Sequence, residues 1–233
     1  MKDYMTDRDY QIVSDIKLFI ITSDCVPLIS TKSSDGIYMK DNYHLDYYDD
    51  NLENYFQNNG KKFSPNLINK IFKQLNLVFK ELLKKHFAHR DIKPNNILIK
   101  YSNEEKTNFD CVLTDYGVSR QYKEEKEKKE QEKEEDYFME TICGTGGFMA
   151  PEMKKYKYKN NCDLFSIGIT IYNLYFGKLP YDDKYKKKLN NNFEIEEDRK
   201  LEDLIKKLIK ENPDERITWE DYFNHPFFKQ YEY

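Results

Sequence analysis

The feature of this sequence that most limits its fold is a long run of apolar residues with helical spacing at positions 64–83. Within this run the apolar residues recur every three or four positions, as they do on one face of an α-helix. They are Ile68, Ile71, Phe72, Leu75, Val78, Phe79, Leu82 and Leu83. Ser64 followed by Pro65 is typical of a helix start. The pattern therefore predicts a long amphipathic helix whose apolar face packs against a core.

Shorter patterns on both sides of this segment predict further helices and strands. The predicted helices are residues 9–20, 52–57, 164–176 and 201–210, and Thr218 with Asp221 is typical of the start of a last helix. The predicted strands are residues 28–30, 36–45, 96–100 and 111–114. The sequence thus predicts an α+β fold whose C-terminal two thirds is mainly helical.

Length, charge and cysteine spacing narrow the class of protein. The chain has 233 residues, which suits one medium domain, and 38 Lys and Arg against 42 Asp and Glu give a net charge of −4. The lysines alternate with acids and form no basic block, which argues against nucleic acid as a partner. The longest apolar run, residues 165–177, is too short to span a membrane. Four widely separated cysteines favour a reducing compartment. We therefore expect a cytoplasmic protein.

One stretch of the chain differs sharply in composition from the rest. Thirteen of the fourteen residues at positions 123–136 are charged, and five are Lys against eight Asp or Glu. Because the stretch contains no apolar residue to anchor it to a core, its composition predicts a solvated insertion. A docking partner for this insertion is the alternative interpretation.

Between the long helix and a predicted strand lies a polar segment, residues 89–96, that reads H-R-D-I-K-P-N-N. It resembles the catalytic loop of the eukaryotic protein kinases, H-R-D-x-K-P-x-N, and every specified position is matched. A chance match of this length and spacing is rare. The resemblance implies a protein kinase-like fold.

The resemblance also implies a chemical role for individual residues. Asp91 would accept the proton of a substrate hydroxyl, and Lys93 would neutralise the moving phosphoryl group. Asn96 would bind Mg²⁺, and Leu98 would lie under the adenine of ATP. Asp115 begins an Asp-Tyr-Gly sequence similar to the family's D-F-G motif, so it would hold the metal together with Asn96.

Further motifs of the family follow in the expected order. They are Gly144-Thr145, Ala150-Pro151-Glu152, residues 163–168 (D-L-F-S-I-G) and residues 212–217 (N-P-D-E-R-I). By the resemblance, Glu152 would pair with Arg216, and Asp163 would hold the backbone of the catalytic loop. The resemblance therefore implies a structural role for these three residues.

Other residues resemble regulatory and specificity features of the family. Lys93 and Thr145 are typical of the serine/threonine branch, since the tyrosine branch uses a different catalytic-loop sequence. Arg90, before the catalytic aspartate, is typical of kinases that bind a phosphate on the activation segment, which by the resemblance is residues 115–152. Thr141 stands where that phosphate is usually attached. This predicts that phosphorylated Thr141 pairs with Arg90 and orders the segment.

The N-terminal part of the sequence departs from the family pattern. Gly36 and Gly60 are the only glycines before the catalytic loop, so a G-x-G-x-x-G loop over the phosphates is absent from the sequence. We expect one kinase-like domain over residues 1–233. Its parts would be a truncated N-terminal lobe at 1–44, a hinge at 45–51 and a C-terminal lobe at 52–233.

Two functions remain open at this point. The first is a serine/threonine protein kinase with ATP and Mg²⁺ as cofactors and a protein as substrate, which the intact Asp91, Lys93, Asn96 and Asp115 favour. The alternative is a catalytically impaired pseudokinase that acts as a binding or decoy module, which the missing Gly-rich loop favours. Kinases of small molecules fit less well, because they usually lack the A-P-E segment.

Overall fold

The computed structural model of the chain describes residues 48–122, 139, 141–155, 158–181 and 189–230. These residues do not include the predicted helix at 9–20, the predicted strands at 28–30 and 36–45, the predicted lobe at 1–44 or the charged stretch at 123–136. In the described part, no helix is both long and apolar enough to cross a membrane.

Five α-helices form within the described residues. They are α1 (Leu52–Asn58), α2 (Pro65–Lys84), α3 (Cys162–Phe176), α4 (Arg199–Leu208) and α5 (Trp219–Phe223). The longest, α2, is the helix that the apolar spacing predicts. The other predicted helices within this part of the chain are confirmed as well, with ends shifted by up to two residues.

Capping side chains explain where four of these helices begin. The caps accept backbone N–H groups of the first helical turn, and they are Asn51 at α1, Ser64 at α2, Asp198 at α4 and Thr218 at α5. Such N–H groups have no partner inside the helix, so a capping oxygen stabilises the helix start. The predicted start at Thr218 is confirmed.

In the part of the chain that the structure describes, five short strands form two antiparallel sheets. They are β1 (Asp50–Asn51), β2 (Phe87–Ala88), β3 (Ile97–Tyr101), β4 (Phe109–Leu113) and β5 (Arg120–Gln121). The first sheet has the order β1-β3-β4, and β2 pairs with β5 in the second. The residues of β1 therefore lie against β3, at the C-terminal end of the predicted hinge.

The strand β4 begins earlier than the sequence pattern predicts. The prediction placed this strand at residues 111–114, whereas the structure has it start at Phe109. The ring of Phe109 packs edge-on against Tyr55 with centroids 4.7 Å apart, and its backbone pairs with Tyr101. These contacts come from other elements of the fold, so the local sequence pattern could not report them.

The core lies where α3 packs between α2 and α4. Gly168 permits the closest approach of α3 to α4, because a Cβ at this position would lie 2.6 Å from Leu208 Cβ and 2.7 Å from Ile209 Cγ2. Both distances are well below a normal carbon contact. The absence of a side chain at Gly168 therefore sets how α3 lies against α4.

The sheets bring two polar loops to the same place. The loop after β2 contains residues 89–96, and its end forms a 3₁₀ turn, Pro94–Asn96, that leads directly into β3. The backbone N–H of Thr114, just after β4, donates to the carbonyl oxygen of Asn96 at 2.9 Å. The polar residues before β3 and those after β4 consequently face one common site.

Candidate active site

A buried carboxylate from α3 holds the catalytic-loop segment. Asp163, in the first turn of α3, accepts the backbone N–H groups of His89 and Arg90, each at 2.7 Å. Arg90 has a left-handed backbone conformation with φ 70°, which is unfavourable for a residue with a side chain. The two hydrogen bonds stabilise this turn. Asp163 thus contacts the backbone of the catalytic loop, as the resemblance implies.

Each oxygen of the Asp91 carboxylate accepts two hydrogen bonds. Thr145 donates its backbone N–H to Oδ1 at 2.8 Å and its hydroxyl to the same oxygen at 2.7 Å. Lys93 Nζ donates to Oδ2 at 2.7 Å, and Asn96 Nδ2 donates to Oδ2 at 3.0 Å. The network joins four of the predicted site residues and fixes the orientation of the carboxylate.

These hydrogen bonds also set the charge state of Asp91. Burial by itself would raise the pKa of Asp91, but the hydrogen bonds from Lys93, Thr145 and Asn96 outweigh it, so the pKa lies below its usual value. The carboxylate is therefore ionised at neutral pH. An ionised acceptor is what the orientation of a hydroxyl nucleophile requires.

A glycine lets the activation segment reach this carboxylate. Gly144 has φ 101°, and a Cβ there would lie 2.7 Å from the carbonyl oxygen of Arg90. Only glycine combines this backbone conformation with such a close approach. Thr145, the next residue, therefore comes within hydrogen-bonding distance of Asp91.

Asn96 and Asp115 lie at the same edge of the sheet. Asn96 Nδ2 donates to the backbone oxygen of Asp91 at 2.9 Å and to its carboxylate. The amide oxygen of Asn96 is therefore the atom that can bind a metal. Asp115 is exposed and has φ 62°, a left-handed conformation. Non-glycine residues in this conformation concentrate at functional sites.

These two residues fit a magnesium ion. Mg²⁺ prefers oxygen ligands and usually takes only one or two from the protein, while phosphate oxygens and water complete its coordination. The carboxylate of Asp115 and the amide oxygen of Asn96 are ligands of this kind. They are the residues that would hold the metal beside Asp91.

His89 has contacts that the sequence motif did not reveal. The backbone N–H of Asp91 donates to His89 Nδ1 at 3.3 Å, so Nε2 carries the proton and donates to the carbonyl oxygen of Thr114 at 3.0 Å. The ring also packs edge-on against Tyr116 with centroids 5.0 Å apart. His89 thus ties the catalytic loop to the segment that carries Asp115.

Tyr116 occupies the middle position of the Asp-Tyr-Gly sequence and is buried. A buried hydroxyl requires a hydrogen-bond partner, and Tyr116 donates to the carbonyl oxygen of Leu113 at 3.3 Å. The tyrosine ring therefore packs as an apolar ring would, while its hydroxyl is satisfied within β4.

Leu98 lies in β3 opposite Asn51 and Val112. Its neighbours Ile97 and Ile99 point into the core, whereas Leu98 is half-buried on the other face of the strand. This is the face that an adenine ring would contact in the predicted role. The role itself stays a prediction.

The structure places Arg90 and Thr141 close together but not in direct contact. Arg90 Nη1 donates to the hydroxyl of Tyr158 at 2.9 Å, and that hydroxyl donates to the backbone oxygen of Thr141 at 2.6 Å. A different arginine, Arg120, lies 3.3 Å from Thr141 Oγ1 through its Nη1. The sequence motifs identified neither Tyr158 nor Arg120, because both lie outside the matched positions.

Glu152 and Arg216 form a buried pair. Arg216 Nη1 lies 2.6 Å from Glu152 Oε1, and Nη2 lies 3.0 Å from Oε2, so the contact is bidentate. The Arg216 side chain is fully buried, and it also donates to the carbonyl oxygens of Lys210 and Asn161. The pair joins the 3₁₀ turn at Pro151–Lys155 to the loop between α4 and α5.

Two buried groups make stability depend on pH in opposite directions. Burial lowers the pKa of His89 from 6.5 to about 4. Between these values the unfolded chain binds a proton that the folded chain does not, so stability falls on acidification. Burial raises the pKa of Asp163 from 3.8 to about 6, despite its two N–H donors. The folded chain binds this proton more tightly, so stability rises on acidification over that interval.

We therefore predict that two variants change the pH dependence oppositely. Between pH 7 and pH 5 the titration of His89 lowers the free energy of unfolding by about 2 kcal/mol, and the titration of Asp163 raises it by about 1 kcal/mol. His89→Gln should flatten the loss of stability on acidification, and Asp163→Asn should steepen it. Urea unfolding at the two pH values measures both slopes. Equal slopes in the two variants would contradict the assignment.

The chain matches the family described as protein kinase domain over residues 25–228. Over 193 residues it is 33% identical to serine/threonine-protein kinase ATG1a of Arabidopsis thaliana. The aligned part is 77% of this chain and 28% of that protein. Over 178 residues it is 35% identical to probable serine/threonine-protein kinase fhkB of Dictyostelium discoideum, covering 70% and 14% of the two chains. Serine/threonine-protein kinase ATG1 of Botryotinia fuckeliana is 29% identical over 197 residues, covering 69% and 20%.

The aligned part spans less than a third of the length of each of these relatives. The family match includes the catalytic loop, both sheets and all five described helices. It confirms the predicted α+β kinase-like fold, which is mainly helical in the described part of the C-terminal lobe. The chain belongs to the eukaryotic-type serine/threonine protein kinase family.

Proposed function

We propose that this chain is an active serine/threonine protein kinase that transfers the γ-phosphate of ATP to a hydroxyl of a protein substrate. The observation that carries the proposal is the hydrogen-bonded Asp91 carboxylate. Lys93, Asn96 and Thr145 all donate to it, and it is ionised at neutral pH. An ionised carboxylate beside a lysine ammonium group is an arrangement that can accept the proton of a hydroxyl and stabilise a transferred phosphoryl group.

In this proposal each residue contributes through its own chemistry. The substrate hydroxyl oxygen forms a bond to the γ-phosphorus while the bond to the leaving ADP oxygen breaks, and Asp91 takes the hydroxyl proton. Lys93 stabilises the negative charge on the transferred group. Asn96 and Asp115 would hold Mg²⁺, which supplies charge neutralisation on the phosphates when bound. Leu98 would contact the adenine.

The Lys93–Thr145 contact supports hydroxyls of serine and threonine as acceptors. Lys93 Nζ donates both to Asp91 and to the hydroxyl of Thr145. This arrangement keeps the ammonium group next to the carboxylate, at the position that the serine/threonine sequence pattern implies. The acceptor residue would be identified by phosphoamino-acid analysis of the labelled substrate.

The test is a phosphoryl-transfer assay with the purified 233-residue chain. It uses radiolabelled ATP, Mg²⁺ and dephosphorylated casein, and a matched reaction contains excess EDTA. We expect label on serine and threonine of casein, and we expect EDTA to abolish it, because the proposed site requires the metal. Label that persists in EDTA would contradict the roles of Asn96 and Asp115.

The second candidate function is a binding or decoy module, and one observation favours it. No G-x-G-x-x-G sequence precedes Asp91 in this chain. That loop would contact the phosphates of ATP, and the loss of one preorganised electrostatic contact typically lowers the rate of transfer by 10² to 10³. Thermal unfolding with and without ATP and Mg²⁺ separates the two functions when combined with the assay. A nucleotide-dependent stabilisation without transfer, or neither effect, would support the module.

The division of the chain is part of the same proposal. We assign residues 1–44 to a small N-terminal lobe, 45–51 to the hinge and 52–233 to the large lobe, with 123–136 as an insertion in the activation segment. The pairing of β1 with β3 supports a boundary near Asn51. Partners other than the protein substrate would dock on the charged insertion.

We further propose that the chain works in the cytoplasm, without nucleic acid or membrane as a partner. Cys111, Cys143 and Cys162 are free thiols in the structure, which suits a reducing compartment. The interleaved charges of the sequence support the absence of a nucleic-acid surface. A fluorescent fusion of the chain would report its compartment.

We predict that phosphorylation of Thr141 increases activity about tenfold. A phosphate there would lie near the guanidinium of Arg120 and would form a charge-assisted hydrogen bond with it, worth roughly a factor of ten. Mass spectrometry identifies the phosphorylated residue, and Thr141→Ala tests its effect. Thr107→Ala, at an exposed loop position, is the control. Unchanged activity in Thr141→Ala would disprove the regulatory role.

A further inference from the structure

Tyr158 lies where the activation segment meets the catalytic loop. Its side chain is almost fully buried, at 2% exposure. The hydroxyl accepts a hydrogen bond from Arg90 Nη1 at 2.9 Å and donates one to the backbone oxygen of Thr141 at 2.6 Å. The sulfur of Cys143 lies 3.8 Å from the same hydroxyl. One hydroxyl group thus links the catalytic loop to two residues of the activation segment.

The backbone of Tyr158 also forms hydrogen bonds with the activation segment, at Met139. Met139 and Tyr158 form an antiparallel bridge, in which Met139 N donates to Tyr158 O at 2.9 Å and Tyr158 N donates to Met139 O at 3.3 Å. The bridge positions the Tyr158 ring beneath the segment. The ring then directs its hydroxyl at Arg90 and Thr141.

Arg90 is a rigid anchor for this contact. Its side chain is buried, and its Nε donates to the carbonyl oxygen of Val118. Its backbone N–H is held by Asp163. A buried guanidinium needs hydrogen-bond acceptors, and Tyr158 supplies one without any phosphate on the chain.

The position of Thr145 depends on this anchor. Gly144 packs directly on the carbonyl oxygen of Arg90, and Thr145 follows it with both of its hydrogen bonds to Asp91. If residues 141–143 moved away from Arg90, Thr145 would move with them. The two hydrogen bonds from Thr145 to Asp91 Oδ1 would then be lost.

We propose that the Tyr158 hydroxyl is a positioning group that holds residues 141–145 against the catalytic loop in the unphosphorylated chain. The contact between Asp91 and Thr145 is therefore built before any phosphate is added. Phosphorylation of Thr141 would add to this order and would not create it. The structural part of the inference stands on the contacts above, and its effect on catalysis rests on the proposed function.

The test compares Tyr158→Phe with Tyr222→Phe in phosphatase-treated protein. Tyr158→Phe removes one oxygen and keeps the ring in its pocket. Tyr222 is the matched control, because it is fully buried and its hydroxyl has no hydrogen-bond partner among the described residues. Both variants lose one buried hydroxyl, but only Tyr158→Phe breaks the link between Arg90 and Thr141.

Hydrogen–deuterium exchange measures how firmly residues 141–145 are held, and it does not require the chain to transfer phosphate. The amide of Thr145 donates to Asp91, so it reports whether the segment stays in place. In Tyr158→Phe we expect exchange at residues 141–145 to be on the order of tenfold faster, with helix α3 unchanged. Tyr222→Phe should exchange as the native chain does. Equal exchange of the segment in both variants, or faster exchange throughout Tyr158→Phe, would overturn the proposal.

Kinetics separate this inference from the proposed function. If the native chain transfers phosphate, Tyr158→Phe should lower kcat several-fold and leave the KM for ATP unchanged, because the Tyr158 hydroxyl contacts Arg90 and Thr141 and not Leu98, the residue proposed to contact the adenine. An unchanged kcat would overturn the catalytic part of the inference. If the native chain transfers no phosphate, the proposed function fails, and the exchange experiment alone decides the role of Tyr158.

Discussion

Replacement of Asp91 by Asn is expected to lower phosphoryl transfer by 10² to 10⁴-fold, the usual range for loss of a general base. Asn has nearly the same shape as Asp, but its amide nitrogen cannot accept a proton. It would also turn a donor towards Thr145 or Lys93, which both donate to this position in the native chain. The radiolabel assay described above measures the effect as a ratio of kcat values.

A matched variant distinguishes loss of chemistry from loss of fold. Asp110 is exposed on β4 and lies outside the Asp91 network, so Asp110→Asn makes the same chemical change away from the site. It should keep native activity. Both variants should be folded at the assay temperature, although Asp91→Asn should unfold at a lower temperature than the native chain, because its amide donor faces Thr145 or Lys93. If Asp91→Asn retained more than about a tenth of the native rate, Asp91 would not be the base.

Replacement of Arg216 by Met is expected to destabilise the chain by about 3–5 kcal/mol. The substitution removes the cation and leaves the carboxylate of Glu152 buried with no opposite charge beside it. It also removes the donors to the carbonyl oxygens of Lys210 and Asn161. Stabilities of small domains are about 5–15 kcal/mol, so this loss is a large fraction of the whole.

The measurement is urea unfolding followed by the fluorescence of Trp219, the one tryptophan of the sequence. Arg199→Met is the control, because the Arg199 side chain is 62% exposed, whereas the Arg216 side chain is fully buried. The control should lose less than about 1 kcal/mol. Equal losses in the two variants would contradict the importance of burial.

A double variant tests whether the unpaired charge causes the loss. Glu152→Gln combined with Arg216→Met removes both charges, so it should be more stable than Arg216→Met alone. A double variant that is less stable than the single one would mean that Glu152 stabilises the fold through other contacts.

The helices were predictable because their signals are local. In α2 the apolar residues repeat with the helical period and Ser64 caps the start, so neighbouring residues alone carry the information. The strands were less well placed. The strand β4 includes Phe109, whose ring contacts Tyr55, a residue distant in the sequence.

The residues of the site were identified by resemblance, and their geometry came from the fold. The catalytic loop is a short sequence, so Asp91, Lys93 and Asn96 could be found together. Their roles stay predictions until the variants are measured. The motif also contains His89, but it carried no sign that this ring joins the loop to Thr114.

The regulatory prediction shows most clearly what the sequence could not provide. The motif pairs a phosphate on Thr141 with Arg90, whereas the structure places Arg120 beside the Thr141 hydroxyl and Tyr158 between Arg90 and Thr141. No local pattern marks Tyr158, which is 68 positions from Arg90. The pairing of Thr141 with Arg90 after phosphorylation stays a prediction.

The sequence by itself determined the family motifs, the long helix α2 and the types of side chain at the site. These follow from residue identity and from spacings within one helix or loop. Only the tertiary structure decided other contacts between distant groups, including His89 with Thr114, Thr145 with Asp91 and Tyr158 with Arg90. The physical reason is that such contacts form when the core packs. Hydrophobic burial drives this packing and is non-directional, so the local sequence does not show which distant residues will meet.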